Sequence, residues 1–93
     1  MSNAEHLNDF LSRVTSDKNL TTTHIGICTA LVVCWMKNNL NNPFNVSRRV
    51  LMEAARIRSK ATYHKAITEL KDLNYFTYEP SYHPRKGSRV GIL

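Results

Sequence analysis

The stretch SRRVLMEAARIRSKATYHKAITELKDL, Ser47 to Leu73, decides how the rest of the chain is read. Ser47 stands just before an apolar run and suits an N-cap, because its hydroxyl can accept from a free backbone N–H of the first helical turn. Val50, Leu51, Ala54 and Ala55 then supply the inward face of a short helix. Arg56-Ile57-Arg58 forms a turn with Ile57 as its apolar plug, and Ser59 caps a second helix over about 59–73. Tyr63, Ala66, Ile67 and Leu70 recur there at helical spacing as the buried stripe, and Leu73 continues it. The opposite side carries Ala61, His64, Lys65 and Thr68, with Lys60 at the N-terminal flank and no acid before Glu69.

Downstream, Tyr75 to Glu79 is rich in strand formers, and Ser88 to Leu93 returns as a second strand with Arg89 near its start. Between them, Pro80 to Gly87 is a turn-rich tip holding His83, Arg85 and Lys86. Upstream, Leu7, Phe10, Leu11 and Val14 make one apolar stripe of an N-terminal helix, and Thr15 to Leu20 closes it with a polar loop. Thr21, Thr22 and Thr23 are N-cap candidates for a helix over about 22–39. That helix holds IGICTALVVCWM, apolar on nearly every side, so either the N-terminal helix or a second subunit must cover it. Asn38 to Pro43 ends it, and Phe44 to Val46 is a short β-like segment.

Charge divides the chain. Up to Val46, Arg13, Lys18 and Lys37 balance Glu5, Asp9 and Asp17, so the whole net charge of +6 arises from Ser47 onward. A cationic excess confined to one part of a small domain is the electrostatic footprint of polyanion binding. Short or cationic side chains near the start of a helix suit entry into a DNA major groove, where an acid would repel the backbone. Arg48 and Arg49 occupy a first helical turn, where side chains and backbone N–H groups meet phosphate. A basic hairpin tip beside them suits phosphates or a neighbouring minor groove.

The run SRRVLMEAARIRSKATYHKAITELKDLNYF resembles the helix-turn-helix core of bacterial winged-helix transcription regulators. Its matching features are a short helix with Leu51 and Ala54, then Ile57-Arg58-Ser59, then S-x-x-T-x-x-x-A-I-x-x-L and an aromatic strand. The hairpin YEPSYHPRKGSRV is similar to that of small winged-helix proteins of bacterial mobile and conjugative elements. The resemblance spans roughly 38–93 and leaves the N-terminal helix uncovered. It implies a winged helix-turn-helix at 21–93 behind an N-terminal helical extension at 1–20, in a mainly α chain with a small β-hairpin (α+β). It also implies Ser59, Lys60, Thr62, His64 and Lys65 as recognition-helix contacts, and Arg85, Lys86 and Arg89 as contacts of a wing at about 80–89. With the residue-level reading, the expected DNA-facing set adds Arg48, Arg49, Arg58, Ala61 and Thr68. The helical wheel puts Thr62 on the flank, nearer phosphate than bases. The family pattern has glycine where this chain has Arg56, a departure that frees Arg56 to meet phosphate.

Other classes draw less support. The histidines His6, His24, His64 and His83 are scattered, and HExxH, GxSxG, P-loop and GxGxxG motifs are absent, so no enzyme is expected. Tyr82 beside His83, Arg85 and Arg89 loosely resembles a tyrosine nucleophile with basic helpers, in a chain too short for the rest of such a site. Cys28 and Cys34, six apart, point about 240° apart around one helix, so they do not bridge. Neither a metal site nor a cofactor is implied, and free thiols fit a cytoplasmic protein. No leader peptide is evident, and the apolar run is too short to cross a bilayer. The expectation is therefore sequence-specific binding of double-stranded DNA by a homodimer, in transcription or in mobile-element excision or transfer, with neither membrane nor small-molecule ligand. The competing expectation is a protein-interaction module that docks through the helix at 22–39.

Overall fold

The computed structural model describes residues 2–80 and 87–93. Four helices and three strands follow one another: α1 (Asn3–Ser16), α2 (Thr22–Lys37), β1 (Phe44–Val46), α3 (Arg48–Ala54), α4 (Lys60–Asp72), β2 (Phe76–Glu79) and β3 (Ser88–Ile92). The fold is thus mixed α+β, four helices against a small antiparallel sheet.

Helix α2 lies at the centre. Its Ile27, Cys28, Ala30, Leu31, Val32 and Trp35 are buried, and α1, α3, α4 and β1 all touch it. From α1, Phe10 and Val14 enter the same core, so the first helix covers one flank of the second. Gly26 of α2 lies beside Ala55, the residue that ends α3, with room for a Cβ at ordinary van der Waals distance. Trp35 stacks parallel to Phe44 of β1 at 6.4 Å between ring centroids, and the His6 ring meets it edge-on at 5.0 Å. The cover of α2 is not complete: Ile25, Thr29, Val33 and Met36, spaced as one helix face, stay exposed.

The caps form as their side chains allow. Ser47 and Ser59 accept from the Val50 and Thr62 N–H groups at the heads of α3 and α4. At the head of α2, Thr21 and His24 cap each other. Thr21 Oγ1 accepts from the His24 N–H at 3.3 Å, and His24 Nδ1 accepts from the Thr21 N–H at 3.0 Å. An accepting Nδ1 carries no proton, so Nε2–H is the ring's donor, and it points at Glu69 Oε1 of α4, 3.2 Å away. The sequence showed Thr21 as a cap candidate but not His24 as its reciprocal partner.

Two details depart from the sequence reading. On α3, Val50 and Ala54 face solvent, whereas Leu51 is buried and Met52 and Ala55 pack against the core. The side of α3 turned to α2 carries Leu51 and, at the C-cap, Ala55. Leu73 is half exposed because the chain turns away at the end of α4.

The sheet has order β1-β3-β2, so β3 is central. The expected hairpin of β2 and β3 is present, with Phe76 opposite Ile92 and Tyr78 opposite Val90. The Phe44–Val46 segment adds a third strand, pairing Phe44 with Val90 and Val46 with Ser88. Just before it, the Asn42 side-chain amide donates to the Ile92 carbonyl and accepts from the Ile92 N–H, both at 2.9 Å, extending the ladder by one rung.

A polar cluster anchors α1 to the far end of α4. The Arg13 guanidinium donates to the main-chain oxygens of Leu93 and Asn74 at 3.0 and 2.9 Å and lies over the Tyr75 ring. The Tyr75 hydroxyl donates to Asp17 Oδ2 at 2.6 Å. That bond, with the Asn19 N–H, holds the Asp17 carboxyl below its ordinary 3.8, while burial and then the same bond push Tyr75 up to about 12. A depressed carboxyl adds stability above its unfolded pKa and loses it as pH falls through the folded value. Asp17→Asn is therefore expected to be less stable than wild type in urea at neutral pH, and the gap should close as pH drops below 3.8. A gap that does not change with pH would mean that the carboxylate charge contributes nothing.

Candidate nucleic-acid interface

The outward side of α4 and its surroundings hold the residues singled out by sequence. Tyr63, Ala66, Ile67 and Leu70 face inward, as their spacing requires. Lys60, Ala61, Thr62, His64, Lys65 and Thr68 are all exposed, and so are Arg58 and Ser59 just before the helix. Arg48 and Arg49 are exposed in the first turn of α3.

From Lys60 to Thr68 the exposed side chains of α4 are cationic or uncharged. Among the described residues no lysine or arginine is paired with a carboxylate; Glu69, the first acid of α4, instead accepts a hydrogen bond from His24 at the head of α2. The cations thus remain available to an external anion. The Ser59 hydroxyl leaves the other leading N–H groups of α4 without intrahelical partners, and the positive end of the helix dipole adds to the field.

Tyr63 and Tyr78 fix the hairpin against α4. Their hydroxyls meet at 3.2 Å, tying the buried side of the helix to β2. Burial pushes the Tyr63 hydroxyl well up, the Tyr78 bond adds to this, and the nearby Arg48 guanidinium opposes it. Tyr78 is half-buried and belongs to packing rather than to a free stacking surface.

Arg89 sits in the central strand, exposed, with Asn45 of β1 and Glu79 of β2 directly opposite on its two sides. The facing Glu79 offsets part of its charge, which makes Arg89 a weaker anion ligand than Lys60 or Lys65. Arg85 and Lys86, with Tyr82 and His83, lie outside the described residues.

One residue of the turn, read in sequence as free to meet phosphate, stands in place of a glycine. Arg56 has φ +60°, in the left-handed region. The Arg56 N–H donates to the Glu53 carbonyl and the Ile57 N–H to the Met52 carbonyl, which is the Schellman pattern that normally places glycine at this position. The turn thus has the geometry glycine would give, with arginine in its place. Its other parts match the reading: Ile57 is buried between the helices.

Cys28 and Cys34 are free thiols held above the ordinary range by burial, Cys28 at about 12, which disfavours the thiolate at both. Among the described residues no three of His, Cys, Asp and Glu gather as a metal site, and no helix is long and apolar enough to cross a membrane. Comparison with models of known protein families, with curated proteins and with solved structures finds no match.

The hairpin's return to the helices depends on Gly87. It has φ +67°, and a Cβ there would overlap the Val46 carbonyl oxygen at the junction of β1 and α3. Gly87→Ala is expected to cost more than about 1 kcal/mol in chemical denaturation, since an incompatible backbone and a backbone clash combine. A neutral result would show that β3 does not need this close approach to Ser47.

Proposed function

We propose that this protein is a winged helix-turn-helix that binds duplex DNA, with α4 in the major groove and the β2–β3 hairpin as the wing. The order of elements supports it: two helices joined by a Schellman turn, followed by a hairpin braced against the second helix by Tyr63 and Tyr78. The observation that carries it is the outward side of α4. From Lys60 to Thr68 it is exposed, short or cationic, and free of acid, and the next acid is held by His24. Lys60, His64 and Lys65 are the base-facing or phosphate-facing donors, Ala61 and Thr68 allow close approach, and Ser59 and Thr62 lie toward the flanking backbone. Arg48, Arg49 and Arg58 bind phosphate beside the groove, and Arg89, with Arg85 and Lys86 of the tip, does so from the wing. In this reading the chain is a cytoplasmic bacterial regulator of transcription, or an accessory factor in excision or transfer of a mobile element.

Titrating the protein into random-sequence duplex by fluorescence anisotropy at several salt concentrations tests this directly. Affinity should fall with a log–log slope of about −0.9 per phosphate contacted. Lys60→Ala/Lys65→Ala should weaken binding and flatten that slope; unchanged affinity of the double variant at low salt would remove α4 from the interface. Sequences selected from a random duplex pool would then report the preferred site.

A second reading rests on the uncovered stripe of α2. Ile25, Val33 and Met36 are 40%, 45% and 56% exposed, and Thr29 between them has its hydroxyl bonded to the Ile25 carbonyl, leaving its methyl outward. This face pairs two copies into the dimer that a palindromic site would need, or serves by itself as a protein-docking surface. Val33→Glu should shift a dimer to monomer in sedimentation without unfolding it. If wild type is already monomeric at tens of micromolar, the dimer is excluded.

A further inference from the structure

Three helices of this chain end in the same way, and the differences between them single out one residue. In α2 the Asn39 and Leu40 N–H groups donate to the Met36 and Trp35 carbonyls. In α4 the Asn74 and Tyr75 N–H groups donate to the Lys71 and Leu70 carbonyls, and in α3 Arg56 and Ile57 repeat the pattern onto Glu53 and Met52. The residue forced left-handed is Asn39 (φ +57°), Asn74 (φ +63°) and Arg56 (φ +60°) respectively. Asparagine tolerates this conformation and arginine does not, because its Cβ crowds the following carbonyl.

Leu40 is the other residue strained in this way (φ +59°), but its side chain packs on the core, which offsets the strain. Arg56 has no such offset. Its side chain is exposed and has neither a hydrogen bond nor an ion pair among the described residues. The fold thus holds a strained arginine that contributes nothing to it through contacts. Arg58 and Lys60 follow at once in the chain, so the Arg56 guanidinium adds to the cations gathered at the head of α4.

We infer that Arg56 is a phosphate-binding residue of the DNA interface, standing for its guanidinium at a left-handed position where glycine would be unstrained. This rests on the duplex-binding reading above and adds to it a residue on the turn rather than on a helix. A planar fork of donors suits a phosphate oxygen pair, and a turn that is closed by two backbone hydrogen bonds presents it rigidly.

Arg56→Gly gives a test in which two readouts move in opposite directions. Glycine suits φ +60° without strain, so the variant should fold and its thermal midpoint should rise by a few degrees. Its affinity for duplex DNA should nonetheless fall, about eightfold at 0.1 M salt for a lost slope of about 0.9 when the two salt curves meet at 1 M. Arg56→Lys should keep the slope near wild type, since the charge remains. A higher midpoint together with lower affinity and a flatter slope supports the inference. If Arg56→Gly binds with wild-type affinity and slope while wild type binds duplex in a salt-dependent manner, this inference alone is overturned. If wild type itself shows no salt-dependent duplex binding, the duplex-binding reading fails and this inference falls with it.

Discussion

Covering α2 is the requirement on which the other elements depend. A helix whose buried side includes Ile27, Cys28, Leu31 and Trp35 cannot stand in water, since each large side chain left exposed forgoes about 1.5–3 kcal/mol. Helix α1 meets it with Phe10 and Val14, α3 with Leu51, α4 with Tyr63, Ile67 and Leu70, and β1 with Phe44 stacked on Trp35. Each of these elements is short, and none would persist by propensity alone. Their positions are therefore set by which part of α2 they cover. The placement of α4 follows from this: with its inner side spent on α2 and β2, its other side must face outward.

Polar contacts then fix the angles that burial leaves loose. The Thr21–His24 cap ends in a hydrogen bond to Glu69, so one imidazole closes the head of α2 and fastens the second half of α4 to it. Arg13 does the corresponding work at the other end, reaching main-chain oxygens at Asn74 and Leu93 that sequence separation makes remote. Tyr63 and Tyr78 link helix to hairpin. Directional bonds of this kind contribute about 1 kcal/mol each, far less than the core, yet they set register and tilt, which apolar packing tolerates loosely.

Much of this was legible in sequence because it depends on local pattern. The caps at Ser47 and Ser59, the buried stripe of α4 and the plug at Ile57 are short-range features, and they stand where the spacing puts them. What could not be read is what depends on partners distant in the chain. Phe44 to Val46 looked β-like, but its place beside β3, about 45 residues later, is a tertiary choice. The reversal of Val50 and Met52 arises from the approach of α2, which a helical wheel of seven residues does not contain. At Arg56 the sequence departed from the expected glycine and left the turn's geometry open. The backbone adopted the glycine conformation regardless, because two hydrogen bonds and the buried Ile57 outweigh roughly 1–2 kcal/mol of strain.

The distribution of charge follows the same division of labour. The part up to Val46 is neutral and supplies the central helix, while the cationic part covers that helix with apolar side chains and carries its charges on the outside. Arg48, Arg49, Arg56, Arg58, Lys60 and Lys65 are all exposed, and mutual repulsion among exposed charges is largely screened beyond about 8–10 Å at physiological salt. A fold that needed only solubility would gain by interleaving acids among these cations, since opposite charges at helical spacing stabilise by about 0.2–0.5 kcal/mol a pair. On α4 the opposite holds. Its nearest acid is hydrogen-bonded to His24 of α2, and the exposed side chains from Lys60 to Thr68 are cationic or uncharged. The His24–Glu69 bond is thus a structural tie that gives the first acid of α4 a partner on α2 rather than among the cations of its own helix.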